Sequence, residues 1–155
     1  MELLLIRHAK AEPHSLCDAE RALTDSGREQ AQKVGRFLLG NDLVPDLILA
    51  SPLVRARQTA EIVCEVSGAS SPTIEPWLAC GMRPGTAIQE LVSYRDFARV
   101  AIVGHNPDFE YFAQWLLGGQ CGGVHVRKAS VIYFSHLNPP AQGAYLEMML
   151  PVSVL

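Results

Sequence analysis

Long apolar runs are missing from this sequence. No stretch reaches the roughly 18–20 consecutive apolar residues that crossing a bilayer requires. The apolar opening, Met1 to Ile6, is one strand long and is cut short by Arg7 and Lys10, so a secretory leader is not expected and neither is a membrane partner. Cysteine is scarce: Cys17, Cys64, Cys80 and Cys121 form no CxxC pair and no regular framework. This excludes a disulfide scaffold and fits a reduced, cytoplasmic protein. Runs of Lys and Arg are also absent, and 13 basic side chains face 16 acidic ones for a net charge of −3, so a nucleic-acid partner is not expected. There is no internal repeat and no low-complexity linker. The remaining 155 residues, 48% of them hydrophobic, suit a single domain over 1–155 with a substantial core.

What is present is an alternation of short apolar runs with helical patterns, which predicts a mostly parallel α/β sheet. Leu3-Leu4-Leu5-Ile6, Leu47-Ile48-Leu49-Ala50 and Val100-Ala101-Ile102-Val103 read as strands buried on both faces, with a short strand at Thr73-Ile74-Glu75. Ser26 and Glu29 form a capping-box pair ahead of Ala31, Val34 and Leu38, and Gly40 can close that helix. Ser51-Pro52 and Asn106-Pro107 each read as a cap followed by a helix-starting proline, the first helix running to about Val63. Thr86 and Gln89 read as a further capping pair for a helix ending near Tyr94. Gly118, Gly119, Gly122 and Gly123 mark a loop. Two final strands, Val131 to Phe134 and Tyr145 to Leu150, are joined by residues 138–143, too short for a helical crossover, which predicts an antiparallel pair at one edge.

Three of these strands end in related chemistry. The first ends in Arg7-His8, the second leads through Ser51-Pro52 to Arg55, and the fourth ends in Gly104-His105. In an open parallel sheet the carboxyl ends of the strands form the ligand crevice. Two guanidiniums and two imidazoles are therefore expected at one mouth, with Arg55 in the first turn of a helix, where an anion is favoured. Planar paired donors on arginine match phosphate oxygens.

These segments resemble the histidine phosphatase superfamily, also called phosphoglycerate-mutase-like. The matching stretches are Leu5-Ile6-Arg7-His8-Ala9, Leu23-Thr24-Asp25-Ser26-Gly27, Ser51-Pro52-Leu53-Val54-Arg55-Ala56-Arg57-Gln58-Thr59 and Val103-Gly104-His105-Asn106-Pro107. They stand in the family's order over about two thirds of the chain. The resemblance implies a three-layer α/β/α sandwich, His8 as nucleophile, and Arg7, Arg55 and His105 as ligands of the phosphoryl oxygens, with no cofactor and no metal. Ala9 stands where most of the superfamily has glycine, as it does in the SixA-type branch. The physics of such a site is consistent: neighbouring guanidiniums disfavour a protonated imidazole and neutralise the transferring group.

Many members of the family carry a carboxylic acid after the third strand to protonate an alcohol leaving group, but Trp77-Leu78-Ala79-Cys80-Gly81 contains none. An alkoxide wants such an acid, whereas an imidazole leaves readily from phosphohistidine. The chain also lacks the long insertions that cover the site in mutases. Both features resemble the SixA-type protein phosphohistidine phosphatases, as does Asp18-Ala19-Glu20-Arg21-Ala22-Leu23-Thr24. They imply a phosphohistidine-bearing protein as partner, such as a histidine phosphotransfer domain or a phosphocarrier. Arg21 and Asp18 join the phosphate-binding candidates, although Arg21 can equally pair with Asp18 or Asp25 as surface electrostatics. Two rival readings stand beside this one. One is a small-molecule phosphomonoesterase using Asp18 or Glu75 as acid; the other is a catalytically silent phosphohistidine-binding module. A zinc site of His8, His14 and His105 lacks thiolate or carboxylate help. No Cys-x5-Arg loop follows Cys80, and His14, His125 and His136 receive no function.

Overall fold

A computed structural model describes residues 1–119 and 122–155; Cys121 and the centre of the glycine-marked loop lie outside the described residues. Six strands, β1 (Glu2–Arg7), β2 (Leu47–Ala50), β3 (Thr73–Ile74), β4 (Arg99–Gly104), β5 (Val131–Ser135) and β6 (Tyr145–Leu150), form one sheet in the order β3-β2-β4-β1-β5-β6. The first four are mutually parallel where they pair, and β5 and β6 close the sheet as the expected antiparallel pair.

The apolar strands are continuous because both faces are covered. Leu3, Leu5, Val100 and Ile102 pack with Ala87 and Ile88 of α3 (Pro84–Glu90) and Phe109, Phe112 and Leu116 of α4 (Asp108–Leu116). Leu4, Ile6, Ala101 and Val103 pack on the opposite face with Ala31, Val34 and Leu38 of α1 (Asp25–Gly40) and Ala56, Ala60 and Val63 of α2 (Val54–Ser67). This is the three-layer α/β/α sandwich. Leu3 through Ile6 are fully buried, each side chain contributing about 1.5–3 kcal/mol of burial. The chain leaves β1 and β4 toward opposite faces, so a crevice opens between their carboxyl ends.

Helix starts differ from the sequence expectation in four places. Thr24, not Ser26, caps α1, its Oγ1 accepting the Gly27 N–H at 3.0 Å. Ser51 does not cap α2, which begins at Val54 behind Leu53; the Ser51 hydroxyl lies 2.7 Å from His105 instead. α2 also runs on to Ser67 and ends at Gly68, whose positive φ of 79° suits glycine. Thr86 lies inside α3, which begins at Pro84, and Asn106 stands outside α4, its amide donating to Glu110 and to the Val126 carbonyl. In the second and fourth cases a tertiary partner outbids the local cap.

Gly27 connects this framework to the crevice. A Cβ there would stand 1.9 Å from the Lys10 carbonyl oxygen, on the segment that follows His8. That carbonyl also accepts the Thr24 N–H at 3.0 Å. Gly27→Ala is expected to lower stability by about 1–3 kcal/mol, read as a reduced urea midpoint; an unchanged midpoint would remove the close approach as the reason for glycine.

Candidate active site

Register alone brings the chemistry together. Arg7 pairs with Gly104 across β1 and β4, and Ala50 pairs with Val103 across β2 and β4. The residues after these pairs, His8, His105 and Ser51, therefore emerge side by side. The His8 N–H donates to the Gly104 carbonyl at 2.9 Å and the Ser51 N–H to the Val103 carbonyl at 3.0 Å, extending the ladder past the strand ends. The two imidazole centroids lie 5.2 Å apart, with their planes tilted by 53°.

His8 is buried, and its Nδ1 lies 2.8 Å from the carbonyl oxygen of Ala9. A carbonyl can only accept, so Nδ1 carries the proton and Nε2 keeps its lone pair. The Ala9 peptide is itself held: its N–H donates to Thr59 Oγ1 at 3.1 Å, and the Thr59 hydroxyl donates to the Arg55 carbonyl at 2.7 Å. Burial pushes the His8 pKa down to about 3; the bond to Ala9 opposes this, and His105, Arg55 and Arg7 add to it. His105 is likewise lowered to about 4, first by burial and then by Arg55. Both rings are neutral at physiological pH.

Arg7 donates through Nη1 to the Val126 carbonyl at 2.7 Å. Arg55, 3% exposed, donates through Nη1 to the Asp18 carbonyl at 2.8 Å and through Nη2 to Asp18 Oδ2 at 3.1 Å. Arg7 Nε, Arg55 Nε and His105 Nδ1 are buried without a hydrogen-bond partner among the described residues. Buried donors left unpaired are costly; the two Nε–H groups are such donors, His105 Nδ1 is a third in the tautomer whose Nε2 accepts from Ser51, and donors of this kind in a cationic cluster suit an oxyanion.

The sequence-predicted residues divide accordingly. His8, Arg7, Arg55 and His105 are brought within electrostatic reach of one another. Asp18 bridges two arginines, since Arg21 Nε donates to its Oδ1 at 2.8 Å while Arg55 takes the other oxygen. The pairing of Arg21 with Asp18 is thus the one observed, and it keeps Arg21 beside the cluster. Glu75 accepts from the Tyr94 hydroxyl, and among the described residues its carboxylate forms no hydrogen bond or ion pair with this network. Cys80 lies 3.8 Å from Arg55, but burial raises its thiol pKa, which weighs against a thiolate nucleophile. Among the described residues no three His, Cys, Asp or Glu side chains converge as metal ligands, and no helix is long and apolar enough to cross a membrane.

Several supporting residues escaped the sequence reading. Ser51, fully buried, contacts His105 Nε2 at 2.7 Å. Thr59 and Gln58 stand in a quoted motif without a role there; Gln58 accepts the Leu23 N–H at 2.8 Å. Asp108 accepts the Gly81 and Met82 N–H groups and so holds the loop carrying Cys80. Glu110 accepts from Asn106 at 2.7 Å and from the Val126 N–H at 2.9 Å, fixing the peptide that receives Arg7. The only signal for Asp108 and Glu110 was a pair of carboxylates in the first turn of an otherwise apolar helix.

Comparison with known proteins bears on the family and the fold. Residues 3–79 match the model of the histidine phosphatase superfamily (branch 1). An uncharacterised protein of Picosynechococcus sp. is 33% identical over 137 residues, covering 85% of this chain and 83% of the relative. The phosphohistidine phosphatase SixA of Escherichia coli is 26% identical over 123 residues, 77% of this chain and 76% of that protein. The fold resembles that of the protein histidine phosphatase SixA complexed with tungstate, with a TM-score of 0.88 over 99% of each chain at 21% identity. Sequence motifs, sheet order and relatives converge on one assignment: the chain belongs to the histidine phosphatase superfamily, with SixA among the proteins it resembles in sequence and fold.

Proposed function

We propose that this protein is a cytoplasmic, metal-independent phosphohistidine phosphatase acting on a phosphoprotein. The observation that carries the reading is the state of His8: Nδ1 is pinned to the Ala9 carbonyl, and the opposite nitrogen is left unprotonated among cationic and hydrogen-bonding groups. In the first step the Nε2 lone pair attacks phosphorus and the P–N bond to the substrate imidazole breaks; that ring, protonated by solvent at its other nitrogen, takes the bonding pair and leaves as neutral imidazole. Water then attacks phospho-His8, releasing inorganic phosphate and restoring the free ring. Arg7 and Arg55 offset the negative charge on the equatorial oxygens throughout, and His105 donates from Nδ1. The protein partner fits a phosphotransfer domain or phosphocarrier, in keeping with the likeness to SixA.

The phosphomonoesterase reading needs an acid for an alkoxide, and the two candidates suit that role poorly. Asp18 loses some hydration, which by itself raises its pKa, but Arg55 and Arg21 outweigh this and hold the carboxyl below its ordinary value. Glu75 is engaged with Tyr94. A phosphohistidine ring is basic enough to be protonated by solvent before the P–N bond breaks, so it needs no acid from the protein. The deciding experiment assays a phosphorylated histidine-transfer protein beside a panel of sugar and nucleotide phosphates and traps the intermediate. Preferred turnover of the phosphoprotein with an acid-labile, alkali-stable phosphoenzyme is expected, and the phosphoenzyme should vanish in His8→Ala. Faster turnover of the small molecules, or a phosphoenzyme that survives in His8→Ala, would overturn the reading.

Ser51 acts as a positioning residue in this scheme. For His105 to donate from Nδ1, Nε2 must accept, and the Ser51 hydroxyl 2.7 Å away is the donor that holds that tautomer. Ser51→Ala should reduce kcat roughly tenfold, the worth of one buried hydrogen bond, with a smaller effect on KM, while Ser51→Thr restores most of the rate. Equal losses in Ser51→Ala and Ser51→Thr would mean that packing, not the hydroxyl, matters.

Neutral burial of the imidazoles also fixes a pH dependence. His8 and His105 titrate near 3 and 4 when folded and near 6.5 when unfolded. Below about pH 6.5 the unfolded chain binds protons that the folded chain refuses, so stability falls with falling pH until the folded rings also protonate. Each ring contributes up to about 1.4 kcal/mol per pH unit in that window. Urea titrations from pH 7 to 4.5 should show this decline, and His8→Asn should flatten it; an identical slope in the variant would contradict a neutral buried His8.

A further inference from the structure

A second feature of the mouth is not used by the phosphoryl chemistry. A cleft of about 330 Å³ is lined by Arg7, Gln30, His125, Arg127, Lys128 and the 151–153 turn; among the described residues no carboxylate lines it, although Glu110 stands 3.1 Å behind His125. Gln30 accepts the backbone N–H of Lys10 at 2.9 Å, so Lys10 adjoins the same rim. Lys10, Arg127 and Lys128 are exposed and form no ion pair among the described residues. Partial desolvation, and then the charges of Arg7, Arg21, Lys10 and Arg55, lower the Lys128 pKa, so Lys128 stands within repulsive reach of those four cations, and Arg127 shares the cleft wall with it. Such a group costs stability, and it stands on a chain whose net charge is −3. An anion laid across it removes that cost.

We infer that Arg127 and Lys128, with Arg7 at the inner end of their cleft, form a carboxylate-binding subsite that docks an acidic surface next to the phosphohistidine of the substrate protein. The inference rests on the phosphohistidine reading above and adds the character of the surrounding surface. Arg7 joins the two regions: its guanidinium reaches the Val126 carbonyl at the base of the segment that carries Arg127 and Lys128, while its own backbone, paired with Gly104, ends the ladder directly before His8. A phosphoryl group at His8 and carboxylates along Lys128 and Arg127 would thus belong to one continuous anionic face. Opposed potentials of this kind set partner choice and speed encounter, and weaken with salt.

The test uses two peptides bearing a non-hydrolysable phosphohistidine isostere, identical except for flanking glutamates or flanking lysines, with binding read by fluorescence anisotropy at low and moderate salt. The wild-type protein should bind the glutamate-flanked peptide about tenfold or more tightly, with a steep loss of preference as salt rises. The Arg127→Ala/Lys128→Ala double variant should lose most of that preference with no fall in melting temperature. The Arg127→Glu/Lys128→Glu variant should shift it toward the lysine-flanked peptide, a gain that damage to the fold cannot produce. Equal wild-type affinities, binding of neither peptide at low salt, or a preference that survives in both variants would overturn the subsite. Turnover of matched, hydrolysable phosphohistidine peptides separates the two claims. Turnover without charge preference removes the subsite and leaves the phosphatase reading intact; charge-selective binding without turnover supports the subsite and removes that reading.

Discussion

The parallel ladder between β1 and β4 is the constraint from which the site follows. Its register sets Arg7 opposite Gly104, and the bond from the His8 N–H to the Gly104 carbonyl carries the pairing one residue beyond the strand. Because side chains alternate across a strand, a slip of one residue would turn Leu3 and Leu5 toward the α1–α2 face and send His8 away from His105. The apolar core prevents this slip. The same packing that buries Leu3 to Ile6 therefore also determines that two imidazoles meet at 5.2 Å.

Around those rings, burial and charge act in the same direction. Desolvation lowers both histidine pKa values, and the guanidiniums lower them further, so both imidazoles stay neutral without an external base. The cost of gathering cations is met locally in two ways. Asp18 spans Arg21 and Arg55 with its two carboxylate oxygens, and the Val126 carbonyl accepts from Arg7 while Glu110 lies close enough to stabilise its charge. Beneath the cluster, Thr59 ties the Ala9 peptide to the Arg55 carbonyl, so the peptide that holds His8 and the helix turn that carries Arg55 share a hydrogen-bonded support. Supports of this kind limit the reorganisation needed when charge develops on a transferring group.

Much of the architecture was legible before any coordinates. The runs at residues 3–6, 47–50 and 100–103 announced doubly covered strands, and the short 138–143 connection announced the antiparallel edge. Arg7, His8, Arg55 and His105 were legible because each follows an apolar run at the end where α/β crevices form. The helix caps were misread where a polar side chain had a stronger partner elsewhere. Ser51 and Asn106 have the residue type and spacing of caps, yet their side chains serve His105, Glu110 and Val126. Glu75 and Asp18, both weighed as acids on residue type, are committed to Tyr94 and to two arginines.

By itself the sequence determined the inventory and its order: which strands are buried on both faces, where helices intervene, and which titratable groups stand at strand ends. These are local properties, set by periodicity and by residues adjacent in the chain. Tertiary structure alone decided the pairings. Ser51 reaches His105 across 54 residues, and Arg7 reaches Val126 across 119. Such bonds depend on which strands become neighbours, and neighbour choice is settled by the packing of two whole faces. No local pattern encodes it, and so the tautomers, the protonation states and the shape of the cationic mouth emerged only with the fold.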